Sequence, residues 1–500
     1  MGVEMTRSHR NQPSRREFLK QTGMAAAGMS ALGARVLDAA PAPRASQFES
    51  GRPKPEDRKF RSGAVESKIL EVKSAIADRE LAWLFENCYP NTLDTTVDFT
   101  LGSNRRPDTF VITGDIEAMW LRDSSAQVWP YLAVVREDVM LRRLLAGVIN
   151  RQTRCILTDP YANAFNKEPG ESPWKDDLTD MKPELHERKW EVDSLCYPIR
   201  LAHRYWRITG DTTPFDVPWQ RAMQLVVQTF REQQRKRNRG PYKFQRVTGW
   251  QTDTVAGAGY GNPIRPVGLI CSIFRPSDDA TIYPFLIPSN LFAVTSLRQL
   301  AELYAVVAGG GTFDAECRAL ADEVEVAIER YAQIKHDYYG TIFPYEVDGF
   351  GNRLYMDDAN IPSLLSLPYL GCCDRDDPAY QNTRALVLSD SNPYYFRGSA
   401  GDGVGSAHVG LDMIWPMSVI MRAMTSSEDA EILDCLRILK MTHAGTGFMH
   451  ESFHKNDPER FTRPWFAWAN TLFGELIVKL HTERRHLLGE LLENRGRGSG

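Results

Sequence analysis

Two short stretches of this sequence carry residue types that could do chemistry. The first, GFMHESFHKNDPERF at positions 447–461, contains His450, Glu451 and His454 in the order H-E-x-x-H. On a helix this spacing would place both imidazoles on one face, where they could bind zinc while the glutamate acts as a general base. The stretch therefore raises two alternatives, a zinc peptidase centre or a single reactive carboxylate beside two histidines.

The surrounding residues oppose the zinc alternative. Gly445 and Gly447 lie just upstream and Pro458 lies just downstream, which leaves room for little more than two helical turns. No H-x-x-G-x-x-H extension follows, and the distant Glu475 fits the last core helix better than a metal site. We therefore predict that Glu451 carries the chemistry and that the protein uses no metal or other cofactor.

The second stretch, FRPSDDA, places Asp278 and Asp279 next to each other before a proline-containing turn. Adjacent side chains diverge, so at most one of them points into a site while the other holds the turn. Glu451 would supply the second carboxylate from a distant loop. Two such groups are the minimum for glycoside hydrolysis, one to protonate the leaving oxygen and one to act at the anomeric carbon.

A third stretch, MWLRDS, resembles a sugar subsite in its chemistry. Trp120 could stack on the apolar face of a pyranose, while Arg122 and Asp123 could hydrogen-bond its hydroxyl groups. The alternative is a helix start with a core tryptophan. The glycine-rich run at 398–405 matches neither phosphate-binding glycine motif, so it predicts a close backbone approach or a tight turn rather than nucleotide binding.

Helical periodicity predicts the elements that must position these residues. A strand is predicted only weakly, at 242–247, and the pattern indicates an all-α fold, an (α/α)6 barrel of six helical hairpins. A helical solenoid would need a fixed repeat, which is absent. Loops rich in charge and aromatic residues precede every second helix, so they should meet on one rim. The predicted helices are 66–88, 116–135, 137–157, 191–209, 217–235, 288–308, 314–335, 360–371, 378–390, 409–425, 427–443 and 464–483.

The N-terminal 45 residues are typical of a twin-arginine export signal, with Arg15-Arg16 before Phe18-Leu19-Lys20 and a small-residue run. We therefore expect a periplasmic or extracellular protein with a linker at 46–64, a catalytic domain at 65–485 and a disordered tail at 486–500. Without the signal the net charge falls from −4 to about −8, which argues against nucleic acid as a partner. No later stretch predicts a membrane span in the mature protein. The eight scattered cysteines indicate buried thiols rather than disulfides or iron–sulfur ligands.

Together, MWLRDS, FRPSDDA with the following PSN, and MHESF resemble the metal-independent exo-α-1,6-mannosidases of glycoside hydrolase family 125, from about Glu66 to His481. The resemblance implies an (α/α)6 barrel that removes terminal α-1,6-linked mannose from oligosaccharides or glycans with inversion. It implies that the acid lies in the Asp278-Asp279 pair, where we choose Asp278, and that Glu451 is the base. The terminal-mannose subsite then falls on Trp120, Arg122 and Asp123. Further substrate contacts, assigned mainly from rim position, are Asp193, Asp279, Asp357, Arg397, His408 and Trp465.

Three other functions remain open at this stage. A barrel of the same type could act on another sugar, as a glucosidase or a polysaccharide lyase. The H-E-x-x-H stretch could still form a zinc peptidase site. A noncatalytic sugar-binding protein would explain the aromatic residues but not the two candidate carboxylates.

Overall fold

The computed structural model describes residues 48–102 and 105–492, and the predicted export signal lies outside them. The chain is mostly helical. Among the described residues the α-helices are α1 (Gly63–Lys73), α2 (Arg79–Cys88), α3 (Asn91–Thr95), α4 (Leu121–Val128), α5 (Val139–Thr158), α6 (Val192–Thr209), α7 (Val217–Gln233), α8 (Ile287–Ala308), α9 (Thr312–Tyr331), α10 (Leu367–Leu370), α11 (Pro378–Val387), α12 (Pro416–Met424), α13 (Asp429–Met441) and α14 (Ala467–Glu483).

Most predicted helices are present with ends within a few residues of the predicted ones, and capping side chains begin several of them. The 66–88 segment divides into α1 and α2, since Asp78 caps α2 by accepting hydrogen bonds from the amides of Glu80 and Leu81. The 360–371 segment is helical only in α10, and the 409–425 segment only from Pro416. The predicted strand at 242–247 is wrong. That segment is extended but pairs irregularly, with Gly259 and with Leu178.

Fifteen short strands in the described ranges join the loops, and the sequence patterns missed them because most are two or three residues long. They are β1 (Val97–Leu101), β2 (Pro107–Val111), β3 (Met119–Trp120), β4 (Ala164–Phe165), β5 (Leu185–Glu187), β6 (Phe285–Leu286), β7 (Ile334–His336), β8 (Gly340–Ile342), β9 (Glu346–Val347), β10 (Arg353–Leu354), β11 (Tyr395–Arg397), β12 (Asp402–Val404), β13 (Met413–Ile414), β14 (Ser452–His454) and β15 (Asp457–Thr462).

Three of the sheets, all antiparallel, hold the loops at the N-terminal ends of helices. The sheet orders are β3-β4-β5, β10-β9-β6 and β13-β14-β15. Strand β3 runs directly into α4, β6 into α8, and β13 leads into α12. Each pairing therefore fixes where the first turn of a core helix begins relative to loops that are distant in sequence.

The helices that follow the charged loops pack side by side. Helix α8 contacts α6, α6 contacts α4, α4 contacts α14, and α14 contacts α12. One continuous hydrophobic core extends from Val65 to Leu492. Helix α8 is long and apolar enough to cross a bilayer by length and composition alone, but it packs on α9, α6 and α10 as a core helix does.

The predicted domain boundaries need correction at both ends. The predicted linker is packed on the domain from residue 48, because Arg52 forms ion pairs with Glu66 and Asp94 at 2.6 and 2.7 Å. The predicted disordered tail begins with ordered residues, since Leu487, Leu488 and Leu492 are buried in the core. The predicted 65–485 domain therefore extends at least over 48–492, and the last eight residues lie outside the described part.

The cysteine prediction is confirmed. All eight cysteines are free thiols, six of them buried and two, Cys372 and Cys373, partly buried. The glycine-rich run also behaves as expected for a close backbone approach, although the approach is to protein. A Cβ at Gly398 or Gly405 would collide with the carbonyl oxygen of Lys455 or Met413.

Candidate active site

Asp278 lies at the tip of the 274–280 turn, which the bridge between Phe274 and Ala280 closes. Its φ of +65° is in the left-handed region, which aspartate tolerates better than most residues. The Lys189 ammonium donates a hydrogen bond to the backbone carbonyl of Asp278 at 2.8 Å, which stabilises this conformation. The side chain of Asp278 is 16% exposed, so it can meet a ligand.

Asp279 points the other way. Its carboxylate is fully buried and accepts hydrogen bonds from the hydroxyls of Thr252 and Ser277, at 2.6 and 3.1 Å, while its carbonyl accepts from the amide of Arg275. The expectation that Asp279 contacts substrate is therefore corrected, because its oxygens hold the turn. His408 is the neighbour on this side, with Nδ1 3.7 Å from the carboxylate.

Arg122, in the first turn of α4, faces four carboxyl groups. Its Nη1 is 2.6 Å from Glu191 and 3.9 Å from Asp193, its Nη2 is 3.4 Å from Asp278, and its Nε is 3.6 Å from Asp123. Burial alone would lower the pKa of Arg122, but these carboxyl groups raise it well above its ordinary value. The guanidinium is therefore a permanent positive charge at the centre of the site.

Two of the carboxyl groups around Arg122, those of Asp123 and Asp193, have raised pKa values. Burial raises the pKa of Asp123 to about 6, against the lowering effect of Arg122. Burial likewise raises the pKa of Asp193 to about 6, and Ser289 donates a hydrogen bond to its carboxylate at 3.1 Å. Asp193 is fully buried, so it supports the guanidinium from beneath.

Glu451 enters from the β14–β15 hairpin. Its side chain is 7% exposed and lies 3.4 Å from Nη1 of Arg463. Arg463 has a φ of +48°, donates to the carbonyl of Thr113 at 2.9 Å and also forms an ion pair with Asp115. The arginine thus ties the Glu451 hairpin to the loop that precedes α4, and its charge also acts on Asp123. Asp278 and Glu451 are therefore connected through a chain of charged groups.

The H-E-x-x-H stretch is not helical. Ser452–His454 forms β14, and residues four apart in an extended segment are about 13 Å apart, too far for one zinc ion. His450 stacks on Phe461 at 3.9 Å, and burial lowers its pKa. His454 accepts a hydrogen bond from the amide of Asn456. The two histidines hold the hairpin, and the geometry of the peptidase motif does not form.

Several buried polar atoms around Arg122 have no hydrogen-bond partner among the described residues. A buried polar atom without a partner costs roughly 1–3 kcal/mol, so a group of them indicates a ligand rich in hydroxyls. Trp120 is one of these residues and is 6% exposed, with its ring edge against His186. The atoms are Trp120 Nε1, Arg122 Nε, Asp123 Oδ2 and Asp193 Oδ2.

Of the remaining predicted substrate contacts, Trp465 lies beside the site and Asp357 does not. Trp465 is partly buried, and its ring would touch a Cβ at Gly114, so it stands beside the Arg463 end of the site. Asp357 is corrected: it is fully buried, accepts hydrogen bonds from the amides of Leu364 and Leu365, and holds its own loop.

Arg397 is corrected as well. Its guanidinium is more than half exposed, lies over the ring of Tyr395 and faces Asp390. It lines a separate cavity of about 420 Å³ together with Arg384 and Arg422.

Sequence reasoning missed Glu191, Asn163, Lys189 and Arg463. Glu191 lies two positions before the predicted Asp193, and both face Arg122. In an extended segment, residues two apart point to the same side. That spacing was the only signal in the sequence for Glu191. Asn163 lies in a loop that carries no recognisable motif, and its side-chain amide donates to Asp278 at 3.3 Å.

Carboxyl groups brought together from distant loops are what a glycoside hydrolase requires, and the family match places this chain in that class. The family profile for metal-independent α-mannosidases of glycoside hydrolase family 125 matches residues 78–478. The Schizosaccharomyces pombe protein called meiotically up-regulated gene 157 protein is 42% identical over 87% of this chain and 89% of its own length.

Among solved structures, a metal-independent α-mannosidase of Streptococcus pneumoniae, in a non-productive substrate complex with α-1,6-mannobiose, is 41% identical. It matches with a TM-score of 0.82 over 85% of this chain and 100% of that chain. This chain belongs to glycoside hydrolase family 125, the metal-independent α-mannosidases. The resemblance seen in the sequence motifs is confirmed.

The first prediction concerns the H-E-x-x-H stretch. Glu451→Gln should reduce mannosidase turnover at least about 100-fold, since it removes the base, whereas His454→Ala should retain activity within a few-fold. EDTA should leave the wild-type rate unchanged, and elemental analysis should find no stoichiometric zinc. Loss of activity on chelation with recovery on adding zinc would contradict the assignment.

Proposed function

We propose that this protein is an exo-acting α-mannosidase that hydrolyses terminal non-reducing α-1,6-linked mannose with inversion of configuration. The observation that carries the proposal is the placement of Asp278 and Glu451 at the two ends of one charged cluster, with unsatisfied polar atoms of Trp120, Arg122 and Asp123 nearby. The α-1,6 linkage is supported by the disaccharide bound to the related S. pneumoniae enzyme.

The proposed reaction is a single displacement. Asp278 donates a proton to the glycosidic oxygen as that bond breaks, while Glu451 removes a proton from the water that attacks the anomeric carbon. The products are free mannose and the shortened glycan, and the proton on Glu451 returns to solvent. Arg122 and Asp123 hold the hydroxyls of the terminal sugar, and Arg463 holds the Glu451 carboxylate in position through their ion pair.

We also propose the (α/α)6 barrel as the architecture that closes this site. Support comes from the order in which α8, α6, α4, α14 and α12 contact one another, with α10 beside α8. These are the helices that follow the charged loops. Their N-terminal ends would then surround one axial pocket, which is where the ligand groups converge.

The mannosidase proposal is tested directly with α-1,6-mannobiose. The purified protein should hydrolyse this substrate in the presence of EDTA, and NMR should detect β-mannose as the first anomer. A single displacement inverts the configuration at the anomeric carbon, so α-mannose as the first product would contradict the proposed inverting mechanism. Preference for α-1,2- or α-1,3-mannobiose over α-1,6-mannobiose would overturn the linkage.

The acid assignment is tested by leaving-group dependence. Asp278→Asn should slow hydrolysis of mannobiose about 10²- to 10⁴-fold but affect an activated aryl mannoside far less, because its leaving group needs no proton. The matched control is Asp279→Asn, which loosens the turn and should slow both substrates equally. If only Asp279→Asn shows the leaving-group effect, the acid is Asp279.

Export remains a separate proposal, supported by the Arg15-Arg16 motif and the apolar run that follows it. We propose that the protein leaves the cytoplasm by the twin-arginine route and acts in the periplasm or outside the cell. Replacing Arg15 and Arg16 with lysine should retain the protein in the cytoplasm, as measured by cell fractionation. Unchanged export of this variant, with a wild-type level of total protein, would contradict the route.

A further inference from the structure

Glu191 lies directly behind Asp278, and the two carboxyl groups share the same donors. Arg122 reaches Glu191 with Nη1 at 2.6 Å and Asp278 with Nη2 at 3.4 Å. The Asn163 amide lies 3.5 Å from Glu191 and 3.3 Å from Asp278. Ser194 donates to Oε2 of Glu191, the oxygen that Arg122 also reaches, at 2.7 Å. Glu191 is fully buried, whereas the Asp278 side chain is 16% exposed.

Neither carboxyl group has the Arg122 guanidinium or the Asn163 amide to itself, so both depend on the same few donors. The charge balance indicates that a proton is held here, because one guanidinium faces four carboxyl groups that are buried or largely buried. Like charges at such distances cannot all ionise.

We propose that Glu191 is a positioning residue for the general acid and that Glu191 and Asp278 hold one proton between them, clamped by Arg122 and Asn163. This inference rests on the proposed role of Asp278 as the acid. Arg122 by itself would keep an isolated Asp278 ionised and unable to donate. The buried partner stores the proton and returns it to Asp278 when the glycosidic oxygen needs it.

The proton transfers balance. In the resting site Glu191 is protonated and Asp278 is ionised. During bond cleavage the proton passes from Glu191 to Asp278 and from Asp278 to the leaving oxygen, so both carboxyl groups end ionised beside Arg122. Glu451 has meanwhile taken a proton from water. Release of that proton to solvent and uptake of one through the exposed edge of Asp278 restore the resting state.

The titration directions agree with this arrangement. Burial raises the pKa of Glu191 well above its ordinary value. Burial opposes ionisation of Asp278 too, but Arg122 outweighs it and holds the pKa of Asp278 below its ordinary value. Other charged or titratable groups that face the pair are Asp123, His186, Glu187, Lys189, Asp193 and Tyr242.

The test is Glu191→Gln, compared on two substrates. Without the partner proton, hydrolysis of α-1,6-mannobiose should fall at least about 10-fold, while an activated aryl mannoside should stay within about 3-fold, because general-acid assistance is withdrawn. In the wild type, kcat/KM should fall at high pH, where the pair loses its shared proton. In Glu191→Gln only Asp278 can hold that proton. Because Arg122 lowers the pKa of a lone Asp278, this high-pH fall, the alkaline limb of kcat/KM, should move to lower pH.

The matched control is Glu346→Gln. Glu346 is an equally buried glutamate paired with an arginine, Arg275, at 2.6 Å, and it holds the same turn without contacting Asp278. This variant should slow both substrates alike and leave the alkaline limb in place. Equal loss on both substrates with an unmoved limb in Glu191→Gln would mean that Glu191 is only structural, and would overturn the proposal.

Infrared spectroscopy provides a readout that does not need the Glu191 variant to fold. With ¹³C-labelled glutamate, wild-type protein at neutral pH should show the carbonyl band of a protonated glutamic acid. That band should disappear in Asp278→Asn, because the new amide donates to Glu191 and lets it ionise. A wild type without the band, or a band unaffected by Asp278→Asn, would overturn the shared proton. A band that behaves as expected in a protein inactive on mannosides would instead overturn the proposed function.

Discussion

The Arg122 guanidinium is the charge on which the rest of the site depends. It gathers carboxyl groups from α4, from the start of α6 and from the 274–280 turn, three segments separated by tens of residues. Without it, an ionised Asp193 would be buried without this countercharge, and an uncompensated buried ion costs several kcal/mol. The position of Arg122 is in turn set by β3, which runs into α4 and pairs with β4. A two-residue strand thus decides where the central charge stands.

Other arginines also join loops through ion pairs with carboxylates. Arg463 joins the Glu451 hairpin to Asp115, Arg275 joins the Asp278 turn to Glu346, and Arg246 joins Asp177, Glu187 and Asp253. The connecting sheets are too short to orient long loops on their own. Planar, forked guanidinium groups supply direction as well as attraction, which makes them suitable for fixing one loop against another.

The two candidate catalytic carboxyl groups, Asp278 and Glu451, have different surroundings. Asp278 lies against a second carboxyl group, and a crowded pair of this kind retains a proton, as a donor must. Glu451 lies instead against the guanidinium of Arg463, at 3.4 Å. Buried atoms of Trp120, Arg122 and Asp123 that make no hydrogen bond among the described residues are the kind of group that a sugar hydroxyl could pair with. Family membership and local electrostatics therefore point to the same chemistry.

The sequence by itself determined the helical class, most helix positions, the free cysteines and the family, because periodicity, capping residues and short motifs are local properties. It also placed Asp278, Glu451, Arg122 and Asp123 in candidate roles. The tertiary structure alone decided which way neighbouring side chains turn: Asp279 and Asp357 face inward to backbone and hydroxyl donors, Arg397 faces another cavity, and Glu191 joins Asp278. These outcomes depend on charge pairs and two-residue strands between distant segments, whose partners no local pattern specifies.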